Sequence, residues 1–150
     1  ASDVYKRQHV DGLRPEGLNR RRFIHEPHQY VLGLPTVGSN VHASPMVVWE
    51  GSHHIIRAAF KSVLDDIPVA QWNSIDLTEI YHEARRKCFD QCKQISISGK
   101  PGECYLLHRL ALHGIAPWPE AVAPIDHGRM VIYFRPEGDG NLINWLNGSY

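Results

Sequence analysis

The chain has 150 residues, 43% of them hydrophobic and 21% charged, enough for one domain with its own core and ordinary for a globular protein. Lys plus Arg and Asp plus Glu number 16 each, so overall charge gives no reason to expect a nucleic acid or a membrane surface as partner. No apolar run approaches the roughly 20 residues of a membrane-spanning helix, no signal peptide is visible, and three cysteines cannot make a paired disulfide framework.

In chain order, residues 1–8 (ASDVYKRQ) resemble a spurious end sequence carried by some metagenomic gene fragments and are expected to be a non-native leader. His9-Val10-Asp11 follows. On a β-strand, residues i and i+2 point to one side, so His9 and Asp11 can reach one metal from one extended segment. Far along the chain, His113 is a candidate third ligand. Two imidazoles and one carboxylate are the ligand set of a facial Fe(II) site, which leaves the opposite face open. A strand that presents ligands needs neighbours and nothing precedes this one, so the domain is expected to be N-terminally truncated.

Residues 12–22 are turn-rich and basic. Arg20 to Arg22 read either as a solvated loop or as a clamp for an anionic substrate. His25 and His28 fall in a loop near the mouth and receive no role. Tyr30 to Leu34 has strand composition, residues 35–44 read as a loop, and Pro45 to Glu50 read as a second, buried strand. Gly51-Ser52 breaks it, and Ser52 can cap a helix starting at His53. Ile55, Ile56, Ala59, Phe60, Val63 and Leu64 form one apolar helical face.

Residues 68–75 connect to a second helix. Asp76-Leu77-Thr78-Glu79 resembles a capping box. Helical spacing then runs to about Cys92, with Glu83, Arg85, Arg86 and Lys87 on a solvated face. Cys88 and Cys92 lack the second pair of a zinc site; with Cys104 they read as small buried hydrophobes in a reducing cytoplasm. Gln94 to Ser98 alternates as a half-buried strand should. Lys100-Pro101-Gly102 is a turn, Cys104 to Leu107 is a strand, and the region reaches His113. Residues 114–128 are a loop with Pro117, Pro119 and Pro124. Met130 to Phe134 is the last strong strand, flanked by Arg129 and Arg135, and a helical turn is expected around Leu142 to Leu146.

Five or six strands with two helices between them do not fit a doubly wound parallel sheet. The expected architecture is mainly β: a jelly-roll, cupin-like barrel over residues 9–136, with a helical insertion at 53–92 and a tail at 137–150.

Residues Gly102 to His113 (GECYLLHRLALH) resemble the distal-histidine strand of the phytanoyl-CoA dioxygenase family, with His113 at the ligand position and Glu103 in place of the usual Asp. His9-Val10-Asp11-Gly12 is similar to that family's proximal H-x-D. Residues 43–53 (ASPMVVWEGSH) are similar to its N-G-P-L-x-x-x-P-G-S-H stretch, departing at Trp49-Glu50. Arg129 sits where the family places its 2-oxoglutarate arginine. The four pieces occur in the family's order and span residues 9–136. The family's N-terminal helices and first barrel strand have no counterpart.

The resemblance implies a double-stranded β-helix and an Fe(II)/2-oxoglutarate-dependent dioxygenase, with His9, Asp11 and His113 as catalytic metal ligands. It implies that Arg129 binds the distal carboxylate of 2-oxoglutarate, and that the partners are a small-molecule substrate and O2. Arginine suits that carboxylate because its planar fork binds bidentately and stays charged. Arg135 shares the strand parity of Arg129 and competes for the role. The family's halogenating relatives lack the carboxylate ligand, so Asp11 implies hydroxylation or a related oxidation. His53 is expected to be structural and His108 a packed strand residue or pocket group. Trp49, Tyr30 and Tyr105 are expected to be core aromatics.

Other readings stay open. A cupin-like metal enzyme without 2-oxoglutarate would use Glu16, although that residue lies in a Pro-Glu-Gly turn. A catalytically silent jelly roll would only bind a small molecule or partner. A truncated fragment of an enzyme would be inactive. Substrate and oligomeric state are not written in the sequence, since fold does not fix substrate.

Overall fold

The computed structural model describes residues 8–37, 44–118 and 129–148. The leader residues 1–7, Ala43 of the G-S-H stretch, and Pro119 and Pro124 lie outside these.

Two three-stranded antiparallel sheets face each other. One has the order β6(Tyr105–His108)-β3(Tyr30–Pro35)-β8(Val131–Phe134); the other has the order β5(Gln94–Ile97)-β4(Met46–Trp49)-β7(His113–Ile115). Val31 and Leu107 from the first sheet and Met46 and Val48 from the second meet with Ala111 in an apolar layer between them. Gly33 is required in that layer: a Cβ there would lie 2.3 Å from the Tyr105 ring. On β8 the period of two turns Val131 and Tyr133 inward and leaves Ile132 and Phe134 exposed.

β4 is buried on both faces, which explains its unbroken apolar sequence. Val47 and Trp49 point away from the sandwich into a second core under the helices. Helix α1(Ser52–Leu64) buries Ile56, Phe60 and Leu64, one side chain per turn. A 3-10 helix at Val69–Ser74 leads to α2(Thr78–Gln91), which buries Tyr81, Ala84 and Cys88. Helix α3(Leu142–Asn147) is capped by Asn141, whose Oδ1 accepts the N–H groups of Ile143 and Asn144.

Several expectations are corrected. Strands and helices share the fold, so it is mixed rather than mainly β, and among the described residues no closed barrel forms. The turn-rich, basic stretch after Asp11 is, beyond what was expected, a hairpin of β1(Leu13–Glu16) and β2(Arg21–Ile24), with Leu13 opposite Ile24 and Glu16 opposite Arg21. Ser52 does not cap α1. Gly51 takes the cap position at φ 79°, where only glycine is at ease, and the Ser52 hydroxyl accepts the Leu112 N–H at 2.8 Å. Asp76 and Glu79 close no box: Asp76 accepts from Thr78, and Glu79 pairs with Arg21.

The strand expected at Cys104 to Leu107 is present, one residue on, as β6. β6 ends at His108 and the chain crosses to the opposite sheet before β7. Arg109 fixes this crossing. It is buried and donates to the carbonyls of Trp145, Gln29, Asn144 and Gly148, tying the crossing to α3. All three cysteines are free thiols, with Cys88 buried and Cys104, against expectation, exposed. Among the described residues no helix is long and apolar enough to cross a membrane.

Candidate metal centre

The two histidines of the expected triad meet through the backbone. His9 N–H donates to the His113 carbonyl at 2.8 Å, and His113 N–H donates to the His9 carbonyl at 3.0 Å. Such a reciprocal antiparallel pair holds its Cα atoms close and sends both side chains to one side. The ring centroids lie 4.7 Å apart. Asp11 follows in the turn that ends the bridge, where Gly12 has φ 84° and rests against the Trp145 ring. Strand parity was therefore only half the reason for the placement; the turn completes it.

His9 Nε2 lies 3.3 Å from Asp11 Oδ1, and His113 Nε2 lies 3.8 Å from Asp11 Oδ2. One donor atom from each residue falls within 4.8 Å of the others. A six-coordinate ion with bonds of about 2.1 Å sets neighbouring donors about 3 Å apart and opposite donors about 4.2 Å apart, so the three fit one ion after shifts of under about 1 Å. His113 Nδ1 donates to the Ala111 carbonyl at 2.8 Å. A carbonyl only accepts, so the proton is on Nδ1 and the Nε2 lone pair faces the site.

Burial holds the pKa of His113 below the ordinary imidazole range, against the pull of Asp11, so the ring is neutral and able to ligate. Burial alone would raise the pKa of Asp11. The hydrogen bond with His9 and the Arg135 guanidinium outweigh it and keep the carboxyl well below the usual range. Arg135 Nε donates to Asp11 Oδ2 at 2.9 Å.

Arg129 and Arg135 share the inward row of β8, as their parity requires, but occupy opposite ends. Arg135 is held by Asp11. Arg129 hydrogen-bonds the Tyr105 side chain, whose hydroxyl donates to Tyr133 at 3.0 Å. Glu16 is not brought to the triad; it pairs with His25 at 2.6 Å on the hairpin. His108 is also elsewhere, stacked on His53 with centroids 4.5 Å apart and 3.0 Å from Arg57.

One residue at the site had no sequence signal. His28 is 7% exposed, and its Nε2 lies 3.8 Å from Asp11 Oδ2 with no hydrogen-bond partner. An isolated bridge between His28 and Glu137 places it there, a contact that no local spacing encodes. A cavity of about 600 Å³ adjoins the triad, with His9, Asp11, His28, Arg22, Arg85 and Arg135 in its wall.

Comparison of the chain with protein-family models, with curated proteins and with solved structures found no match.

Proposed function

We propose that this chain is a non-haem Fe(II)- and 2-oxoglutarate-dependent oxygenase of the phytanoyl-CoA dioxygenase type, acting on a small organic molecule. The observation that carries the proposal is the convergence of His9, Asp11 and His113 on one point, with a tautomer on His113 that exposes Nε2. The strand pairing supports a double-stranded β-helix. The His9 segment pairs with β7, β3 with β6 and β4 with β5, the nested order of a jelly roll.

His9, Asp11 and His113 would hold the metal. Bound there with 2-oxoglutarate, Fe(II) supplies the O2 activation that oxidises the substrate. Arg135 fixes the Asp11 carboxylate and so is not available to 2-oxoglutarate. This favours Arg129 as the cation for the distal carboxylate, with the Tyr105 and Tyr133 hydroxyls beside it. Val31, Val48 and Leu107 keep water out between the sheets. Free thiols suit a cytoplasmic enzyme.

A second reading, a cupin-like metal enzyme without a 2-oxo acid, is favoured by His28, which adds a third imidazole beside the carboxylate. Anaerobic titration with Fe(II) and 2-oxoglutarate separates the two through the weak visible charge-transfer band of the chelate. The band should be absent in His113→Ala and need at least about tenfold more 2-oxoglutarate in Arg129→Ala, the loss expected for one charged contact of about 1.4 kcal/mol or more. Fe(II) binding without a band would favour the cupin-like site. A folded protein that binds no Fe(II) would leave a silent jelly roll.

A further inference from the structure

The cavity beside the triad has a basic wall that the proposed oxidation does not use. Strand alternation on β2 divides the arginine run. Arg21 turns out to Asp76 and Glu79, whereas Arg22 lines the cavity. The Arg22 backbone is pinned at both ends: its N–H donates to Thr78 Oγ1 at 2.8 Å, and its carbonyl accepts from Leu77 at 2.9 Å. Its Nε is buried with no hydrogen-bond acceptor, a costly state for a charged donor in a protein that has an alternative.

Arg85 reaches the same cavity from α2, one turn after the buried Tyr81. Both guanidinium groups act on Tyr81 and His82, so two like charges converge on one small region. Arg20 and Arg135 add to the same wall. Two carboxylates share it: Asp11, which is committed to Arg135 and the triad, and the exposed Glu26. In a chain with equal numbers of acidic and basic residues, this is a local concentration of positive charge, and a concave wall focuses it.

We propose that the cavity binds the anionic group of the substrate, a carboxylate or a phosphate ester, with Arg22 and Arg85 as the recognising pair. His9 and Asp11 share the cavity, so a molecule held at its oxyanion presents its other end to the metal. Calling the ligand the substrate rests on the oxygenase reading; the anion site itself does not.

The test therefore uses the metal-free protein. Inorganic phosphate and acetate are titrated by calorimetry and by thermal shift, with binding expected for at least one in the range of about 1 mM. Arg22→Gln and Arg85→Gln should each weaken it at least about tenfold, the loss of one charge-assisted contact. Arg86→Gln, exposed on the same helix, should leave it unchanged. If Arg22→Gln does not fold, Arg22→Lys keeps the charge, loses the fork and should bind more weakly. No binding of either anion, or equal binding in the Arg22 and Arg85 variants, would overturn the proposal. Displacement of the anion by 2-oxoglutarate from Zn(II)-loaded protein would also overturn it, by giving these arginines to the co-substrate. A failed Fe(II)/2-oxoglutarate titration beside intact anion binding would count against the oxygenase reading alone.

Discussion

Asp11 has two oxygens with different neighbours. Oδ2 accepts from Arg135, while Oδ1 faces His9, so the carboxylate is oriented before any ion arrives. A group that hydrogen-bonds a metal ligand fixes the orientation of that ligand. Arg135→Gln is therefore expected to lower Co(II) or Zn(II) affinity by about 10–100-fold, read by titration against a competing chelator. Because Arg135 is 39% exposed, the melting temperature should move little, which separates positioning from folding. The triad itself was legible in the sequence: H-x-D is a compact pattern, and His113 carried a family-like strand before it. His28 was not, and Arg135 was legible as a site candidate but not as the partner of Asp11. Each reaches Asp11 by a tertiary route, Arg135 from the end of β8 and His28 through its bridge to Glu137, and neither route leaves a spacing in the chain.

The elements that announced themselves did so by composition, by unbroken apolar runs or by period. β3, β4, β5, β8 and the three α-helices fall within a residue or two of where the sequence places them. The hairpin β1–β2 did not, because β1 has only one partly buried residue, Leu13, and an exposed strand shows no alternation. β6 also falls within a residue of its expected place, but the crossing after it has no period to announce it and depends on Arg109. That arginine turns a strand end into a crossing by satisfying carbonyls at the C-terminal end of α3. Arg109→Leu would strand those carbonyls and release α3, at a cost of about 3 kcal/mol. Urea unfolding should show the loss, and the fluorescence of Trp145, 5% exposed in the native fold, should shift to the red.

For the whole molecule, buried and half-buried imidazoles set the response to acid. Burial, with His53 and the cations Arg109 and Arg57 nearby, pushes the His108 pKa down to about 3 from its usual 6.5. His28, His53 and His113 are lowered too, burial first in each case. In all four the unfolded chain binds protons that the folded chain refuses, so stability rises with pH across that gap. Each contribution is full above about pH 6.5 and is lost as pH falls below it, for His108 down to about 3. Melting temperatures of metal-free protein should therefore drop through this window, and more gently in His108→Gln. A flat profile would mean that these rings accept protons in the fold. The nested pairing bears on time as well as on equilibrium. β4–β5 closes around the helices, β3–β6 around that, and the His9–His113 bridge spans 104 positions of chain. Long closures are entropically slow and tend to follow shorter ones. His9 must wait until the chain has been made through His113 before it has a partner. An ion offered to the triad could then be captured only at this late closure, and a chain stalled before it would have two of the three ligands out of reach of each other.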